Sequence, residues 1–480
     1  MLTLINANRM IPPIAPIGLD YLAGAARRSG LDVELLDLCL AEDTAAALAA
    51  CFAERRPELV GVSFRNVDDC FWPGGAWFVP ELVELVGSIR RRCEAPIVLG
   101  GVGYSIFAPE ILRQSGADFG VRGDGEEGLV ALVAELRGAR RFDRVPGLLW
   151  REDGVLRVTP PAWPRQFSLP SARDAVDNPT YLRLGGQIGL ETKRGCDRRC
   201  LYCADPLAKG PTVRLRDPAE VADEVQSLVA QGVDVLHLCD SEFNVPPGHA
   251  REVCDELVRR RLGDRIRWYA YLAVVPFDAE LAGKMRRAGC AGINFTGDSA
   301  SPPMLRAYRQ PHRREDLASA VRLCRGEGIA VMIDLLFGGP GETPETVDQS
   351  IRFLRRIDPD CAGAAIGIRV YPGTAIAEML AAEGSLERNP AMRRRYEGLI
   401  DLVRPTFYVS PALGERPARL VRELIAGDPR FFEPADEELE APSVELGANY
   451  NYNANQALAD AIAAGARGAY WDILRRMRAR

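Results

Sequence analysis

Through the first 140 residues, short apolar runs alternate with amphipathic stretches. LTLIN (2–6), DVELLDL (32–38), LVGVSF (59–64), PIVLGG (96–101) and FGVRG (119–123) are β-rich. Between them, IGLDYLAGAARRSG and FVPELVELVGSIRRRC repeat their apolar positions at helical spacing. Buried strands alternating with helices predict an open parallel sheet covered on both faces. Residues 141–185 break the pattern with proline and charge, which reads as a linker with one small hairpin around Asp153-Gly154. A second alternation follows: QIGLET (187–192), VDVLHL (233–238), IRWYAYL (266–272), AGINFTG (291–297), AVMIDLLFGG (330–339) and AAIGIRVYPGT (364–374). About six βα units suit a full or partial TIM-type barrel, with chemistry at the carboxyl ends of its strands. From about 386 the chain is Arg-rich and mainly helical, and is expected to cap the site; it includes a polar Asn/Tyr stretch at 449–455. The expected units are therefore 1–140, the linker 141–185, the barrel 186–385 and the region 386–480.

Composition narrows the class. The net charge of −6 over 480 residues argues against broad nucleic-acid or anionic-membrane binding. No apolar run approaches the roughly 20 residues that span a bilayer. The start, MLTLINANRM, lacks the pattern of a signal peptide. A cytoplasmic protein is expected, by default a monomer. The sequence has 12 cysteines, too dilute for a disulfide scaffold. Nine are scattered singly, and most are expected to be small buried residues.

The other three, Cys196, Cys200 and Cys203, lie in GLETKRGCDRRCLYCADP. Structural zinc would require a fourth Cys or His at finger spacing, and none follows. Three close thiolates suit an iron–sulfur cube with one iron left open, although a small zinc site remains the alternative. The loop follows the first strand of the barrel-like pattern, where ligands collect.

Here the chain resembles the radical S-adenosylmethionine (SAM) superfamily, whose signature is Cys-x3-Cys-x-Tyr-Cys, with Tyr202 in the aromatic position. The resemblance covers 186–375 and implies a [4Fe–4S] cluster on the three cysteines, with SAM on the fourth iron. It further implies that Asp240, Ser241, Glu242 and Asn244 lie near the SAM amino group. Asp298 and Ser299 would stand near its ribose or sulfonium, and Gly339 and Gly341 in a Gly-x-Pro-Gly-Glu-Thr-like turn. Arg369 lies in the segment that closes the barrel. The Gly297-Asp298-Ser299 stretch departs from the more usual Glu-Ser-Gly. Asp240 and Glu242 are two apart and so share one side of an extended segment.

Residues 1–140 resemble the Rossmann-like, flavodoxin-type cobalamin-binding domain attached to many radical SAM enzymes. Gly61 to Asn66, Gly100 to Ser105 and Gly123 to Glu126 carry the resemblance. It implies cobalamin contacts from Ser63, Arg65, Asn66, Gly100, Gly101, Gly103, Tyr104, Gly123, Gly125 and Glu126. No histidine precedes His237, so cobalt is expected to lack a protein imidazole. Arg65 is the candidate beneath the corrin, because a guanidinium is a poor metal ligand. That arrangement resembles the tryptophan 2-C-methyltransferases of thiopeptide pathways. The competing role for Arg65 is an ion pair with Asp68 or Asp69. Trp72, Trp77 and Phe71 are further candidates for packing on the macrocycle or substrate.

Together the resemblances imply a cobalamin-dependent radical SAM methyltransferase, with Arg65 and Tyr202 as candidate catalytic residues. Its small-molecule substrate would lie between the domains, and an external one-electron reductant of flavodoxin or ferredoxin type would supply electrons. A non-methylating member of the same family and a cofactor-binding sensor are the alternatives.

Overall fold

The computed structural model describes residues 1–8, 10–165, 167–435 and 455–478. The first unit places β1 (Leu2–Asn6), α1 (Ile17–Arg28), β2 (Val33–Asp37), α2 (Thr44–Glu54), β3 (Leu59–Ser63) and α3 (Val79–Arg90) in succession. β4 (Ile97–Gly100), α4 (Val102–Ile106), α5 (Ala108–Ser115), β5 (Phe119–Val121) and α6 (Gly125–Arg137) complete its alternation. The five strands pair in parallel in the order β2-β1-β3-β4-β5. This is the flavodoxin-like order, in which ligands bind where the winding reverses, between β1 and β3. Leu2, Ile5, Leu59, Val60, Ile97 and Leu99 are fully buried, as continuous apolar strands covered by helices on both faces require.

Part of the segment read as a linker belongs to this sheet. β6 (Leu148–Glu152) and β7 (Val155–Val158) form an antiparallel hairpin on β5, turning at Asp153-Gly154. After α7 (Asn178–Gly185) comes β8 (Ile188–Leu190), then a ribbon of β9 (Lys193–Arg194) and β10 (Arg214–Leu215) around α8 (Asp205–Lys209).

The second unit continues through α9 (Pro218–Ala230), β11 (Val235–Leu238), α10 (Pro247–Arg259), β12 (Arg267–Leu272) and α11 (Ala279–Arg287). Next come β13 (Cys290–Asp298), α12 (Pro302–Ala307), α13 (Arg314–Glu327), β14 (Ala330–Phe337), α14 (Pro344–Ile357) and β15 (Cys361–Ile366). The carboxy-terminal region supplies β16 (Ile368–Arg369), α15 (Ala375–Glu383), β17 (Met392–Arg393), β18 (Phe407–Tyr408), α16 (Pro417–Ile425) and β19 (Phe431–Phe432). It ends in α17 (Gln456–Ala463) and α18 (Tyr470–Arg478). The large sheet is parallel in the order β19-β15-β14-β13-β12-β11-β8, an open barrel whose last strand comes from the carboxy-terminal region. That region also contributes a small antiparallel sheet, β16-β18-β17, so it is less purely helical than its sequence pattern predicts. α18 packs against the barrel: Trp471 fills the space beside Gly292, and Tyr269 donates to Asp472 at 2.9 Å. Of the Asn/Tyr stretch, residues 449–454 lie outside the described part, and Asn455 caps α17 by accepting from Leu458 N.

Two ion networks tie the units together. Arg173, in the connecting segment, donates to Asp20 on α1 and Glu224 on α9, both at 2.6 Å, and all three side chains are fully buried. Arg194 on β9 grips Glu126 on α6 through both nitrogens at 2.9 and 3.1 Å.

Candidate functional site

The carboxyl ends of β1, β3, β4 and β5 open into a cavity of about 220 Å³, lined by Ser63, Arg65, Gly100, Gly101, Gly123, Gly125 and Glu126. Its far wall is built from the second unit, by Glu191, Arg194 and Lys209. A second cavity of about 520 Å³ lies on the other side of Ser63 and Arg65, with Asn66, Leu48 and Leu82 on its walls. Gly101 makes the tight turn possible: its φ is +100°, and a β-carbon there would sit 2.7 Å from the Phe64 carbonyl oxygen. A large ligand fits such a wall, because glycine backbone lets it approach closely.

Arg65 projects into this space. Its Nη1 donates to Asn66 Oδ1 at 2.9 Å and lies 3.2 Å from Met10 Sδ. The side chain keeps the accessible surface of an exposed residue, yet burial depresses its pKa. Both hold because it extends into an enclosed cavity rather than bulk solvent. Asp68 is committed elsewhere, receiving Arg369 Nε at 2.8 Å with both side chains buried. Arg369 also donates to the carbonyls of Val370, Leu402 and Val403 and lies over Tyr371, so it staples the barrel-closing segment to the first unit and has no donor directed at a cofactor. Gly103 and Tyr104 do not line the cavity. Gly103 packs against the Arg65 carbonyl, and the Tyr104 ring occupies the space above Gly120 in the core. Trp72 packs on Phe407 across the junction between units, whereas Trp77 forms a backbone bridge with Asp68 inside the first unit.

On the barrel side, Cys196, Cys200 and Cys203 sit between β9 and α8. Burial raises the Cys203 thiol most and Asp205 next, with Cys200 and Cys196 adding to the rise. Among the described residues no three His, Cys, Asp or Glu side chains converge on one point as a single-ion cage. Three thiolates in Cys-x3-Cys-x2-Cys spacing, with no fourth Cys or His following at finger spacing, suit a cube that leaves one iron open. Gln310 Nε2 donates to Cys200 Sγ at 3.5 Å and to Asp298 Oδ2 at 2.5 Å, and Tyr202 OH donates to the same oxygen at 2.6 Å. Despite those bonds, burial pushes Asp298 up to about 7.

The Asp-Ser-Glu-Phe-Asn stretch divides by role. Asp240 accepts from Thr192 N at 2.8 Å, Thr192 Oγ1 at 2.6 Å and Lys193 N at 3.2 Å, which pins the start of the cysteine loop. Asn244 is bound to the backbone of Ala273 and Pro276, and Ser241 donates to Asp205. Glu242 differs: Oε1 accepts from Thr296 at 2.9 Å, while Oε2 is buried without a partner, and burial raises its pKa to about 7. A buried carboxyl with a vacant oxygen fits a cationic ammonium. Ser299 is fully buried against Ser350, and Gly339 is required because a β-carbon would meet the Tyr308 ring at 2.4 Å. Gly341, with φ +82°, completes that turn.

Lys193, Arg194, Thr296 and Gln310 are neighbours of the site that the motif reading does not reach. Of the scattered cysteines, Cys51, Cys254, Cys290, Cys324 and Cys361 are buried, whereas Cys70 is exposed. No helix among the described residues is long and apolar enough to cross a membrane.

A family model for the radical SAM superfamily matches residues 190–354, and one for the B12 binding domain matches residues 11–133. The chain is 34% identical over 442 residues to tryptophan 2-C-methyltransferase of Streptomyces laurentii, covering 79% of this chain and 74% of that one. It superposes on the radical S-adenosylmethionine methyltransferase TsrM of Kitasatospora setae, solved with tryptophan substrate and a SAM analogue, with a TM-score of 0.92 and 32% identity. That match covers 100% of this chain and 97% of the other. The same enzyme solved with cobalamin and a [4Fe–4S] cluster gives a TM-score of 0.89 and 31% identity over the same shares.

Proposed function

Because the chain belongs to the cobalamin-dependent radical SAM methyltransferases, we propose that it methylates a carbon of tryptophan or a tryptophan-like small molecule. What supports the reading is the joint cavity, in which a glycine-rich sheet edge carrying Arg65 faces the barrel unit that bears the three-cysteine loop. Cys196, Cys200 and Cys203 are the proposed cluster ligands, and Glu242 Oε2 the acceptor of the SAM ammonium. Ser63, Gly100 and Gly101 are the proposed cobalamin wall, with Arg65 beneath the corrin. When bound, the cluster, SAM and cobalamin supply electron and methyl transfer; the protein supplies position and dryness.

Each residue then has a physical task. Asp240 fixes the loop that carries the cysteines. Arg65 would present to a bound cobalamin a permanent cation that is a poor metal ligand. Tyr202 and Gln310 hold Asp298 in place beside Cys200, and the Arg173 and Arg194 networks keep the two cofactor walls in register. An external one-electron reductant, a monomeric state and a cytoplasmic setting belong to the same proposal.

The test is anaerobic purification with cobalamin supplied, then incubation with methyl-deuterated SAM, reductant and tryptophan. About four irons and one cobalt per chain, with a deuteromethylated product and S-adenosylhomocysteine, are expected. 5′-Deoxyadenosine without S-adenosylhomocysteine or methylated product would overturn the methyl-transfer reading in favour of a non-methylating family member.

A further inference from the structure

The barrel interior carries polar side chains where barrels ordinarily pack Val, Ile and Leu. Strand register places them on one face: Tyr271 pairs with Asn294, and Thr296 with Asp334, across adjacent parallel strands. His237 lies on the same face, paired with Tyr269. The outward residues between them, Leu236, Ala270, Ile293, Phe295 and Ile333, are 0–2% exposed beneath the helices. The inward ones, His237, Tyr271, Thr296, Asp334, Leu336 and Ala365, keep accessible surface. Since helices cover the outside, that surface faces open space within the barrel.

Two acceptors in this space lack donors. Asn294, 2% exposed, gives its amide hydrogen to Asp334 Oδ2 at 2.7 Å, and its Oδ1 has no partner. Asp334 Oδ1 has none either. His237 Nδ1 is a third unpaired polar atom, its ring edge-on to Tyr271 at 5.6 Å. Buried acceptors left unpaired are costly and uncommon, and several on one interior face mark a place where a ligand completes the bonding. Burial pushes the Asp334 carboxyl up to about 6, against the lowering effect of the Asn294 hydrogen bond. A ligand that brings a nitrogen-bound hydrogen would complete both acceptors.

We propose that the Asp334–Asn294 pair is the substrate-recognition site of the barrel, receiving a nitrogen-bound hydrogen of the substrate while Tyr271 and His237 flank its ring. This rests on the reading of the substrate as tryptophan-like. Two groups of such a substrate offer the required hydrogen, the α-ammonium and the ring N–H.

The experiment measures equilibrium binding to anaerobically reconstituted holoenzyme, comparing wild type with Asp334→Asn and Asn294→Ala. The probes are tryptophan, indole-3-propionate (no ammonium) and 1-methyltryptophan (no ring N–H), with SAM affinity and iron content as controls. Asp334→Asn is expected to weaken tryptophan about tenfold or more, with SAM affinity and iron unchanged, since bonds to charged groups carry that discrimination. The penalty should vanish for one analogue: indole-3-propionate if Asp334 holds the ammonium, 1-methyltryptophan if it holds the ring N–H. Wild-type affinity in both variants, an equal penalty for both analogues, or a loss of SAM rather than tryptophan binding would each overturn the assignment. If the wild type binds no tryptophan, the tryptophan reading fails separately. Tryptamine and indole against 1-methylindole then test the pair alone, and no Asp334-dependent preference for the N–H donors overturns it.

Discussion

Replacing Arg173 with Met tests whether the two cofactor walls are held in register by one buried cation. Arg173 is fully buried and donates to Asp20 Oδ2, to Glu224 Oε1 and, at 3.1 Å, to the Gly189 carbonyl. The two acids are not equally dependent on it. Glu224 keeps Arg216, whose Nη1 stands 2.7 Å away, and the Tyr21 hydroxyl at 2.8 Å. Asp20 keeps only neutral donors, Asn178 Nδ2 at 3.2 Å and Ala175 N at 3.1 Å. One carboxylate is thus stranded, so the cost falls within the range for breaking a buried pair, about 4 kcal/mol. For units of this size that is roughly 10 °C in Tm. Adding Asp20→Asn removes the stranded charge and should restore about half of the loss. Arg27→Ala is the control, because its pair with Asp174 is exposed and should cost under about 1 kcal/mol. Thermal melts of the four proteins check this, with cobalt content measured alongside because Asp20 and Glu224 belong to different units. Arg173→Met melting with the control, or a double variant no better than the single, would refute the reasoning.

Two further outcomes follow from the site. Glu342 is fully buried, and burial raises its carboxyl from 4.5 to about 7 even though Gly338 N, Tyr308 and Thr346 donate to it. The folded state therefore holds this proton more tightly than the unfolded chain, so the contribution is full below pH 4.5 and is lost as pH rises through 7. It amounts to about 3 kcal/mol at most; Glu342→Gln should flatten the fall in Tm between about pH 4.5 and 7, and an unchanged pH profile would count against the assignment. Gly101→Ala must place a β-carbon 2.7 Å from backbone at a φ of +100°, costing about 2 kcal/mol or more. It should cut cobalt content sharply while leaving iron at the wild-type level, and parallel loss of both metals would argue against separate sites.

Much of this architecture is legible in local pattern. Each of the five parallel strands of the first sheet falls inside a β-rich run between helical periodicities, because parallel strands covered on both faces are largely apolar; the antiparallel hairpin β6–β7 lies in the segment read as a linker. The cysteine loop is legible because its three cysteines lie within eight residues. The polar interior of the barrel left a fainter trace, Asn294-x-Thr296, whose spacing of two signals one shared face but not whether that face is inside or out. Nothing local indicates that Tyr104 folds back over Gly120 or that β19 closes the sheet, since both depend on residues brought together by topology.

Arg65 and Arg369 show where local reading stops. From sequence alone, Asp68 is the natural counter-ion for Arg65, three residues away. In the fold Asp68 is taken by Arg369, 301 residues distant, and that arginine is in turn fixed by the carbonyls of Val370, Leu402, Val403 and Thr406. A buried carboxylate with a committed partner does not recruit a second cation at no desolvation cost, so Arg65 turns to the neutral acceptors Asn66 and Met10 at the mouth of the cavity. The arginine assigned to a cofactor is thus the staple, and by occupying Asp68 it leaves Arg65 directed into the space between the two units.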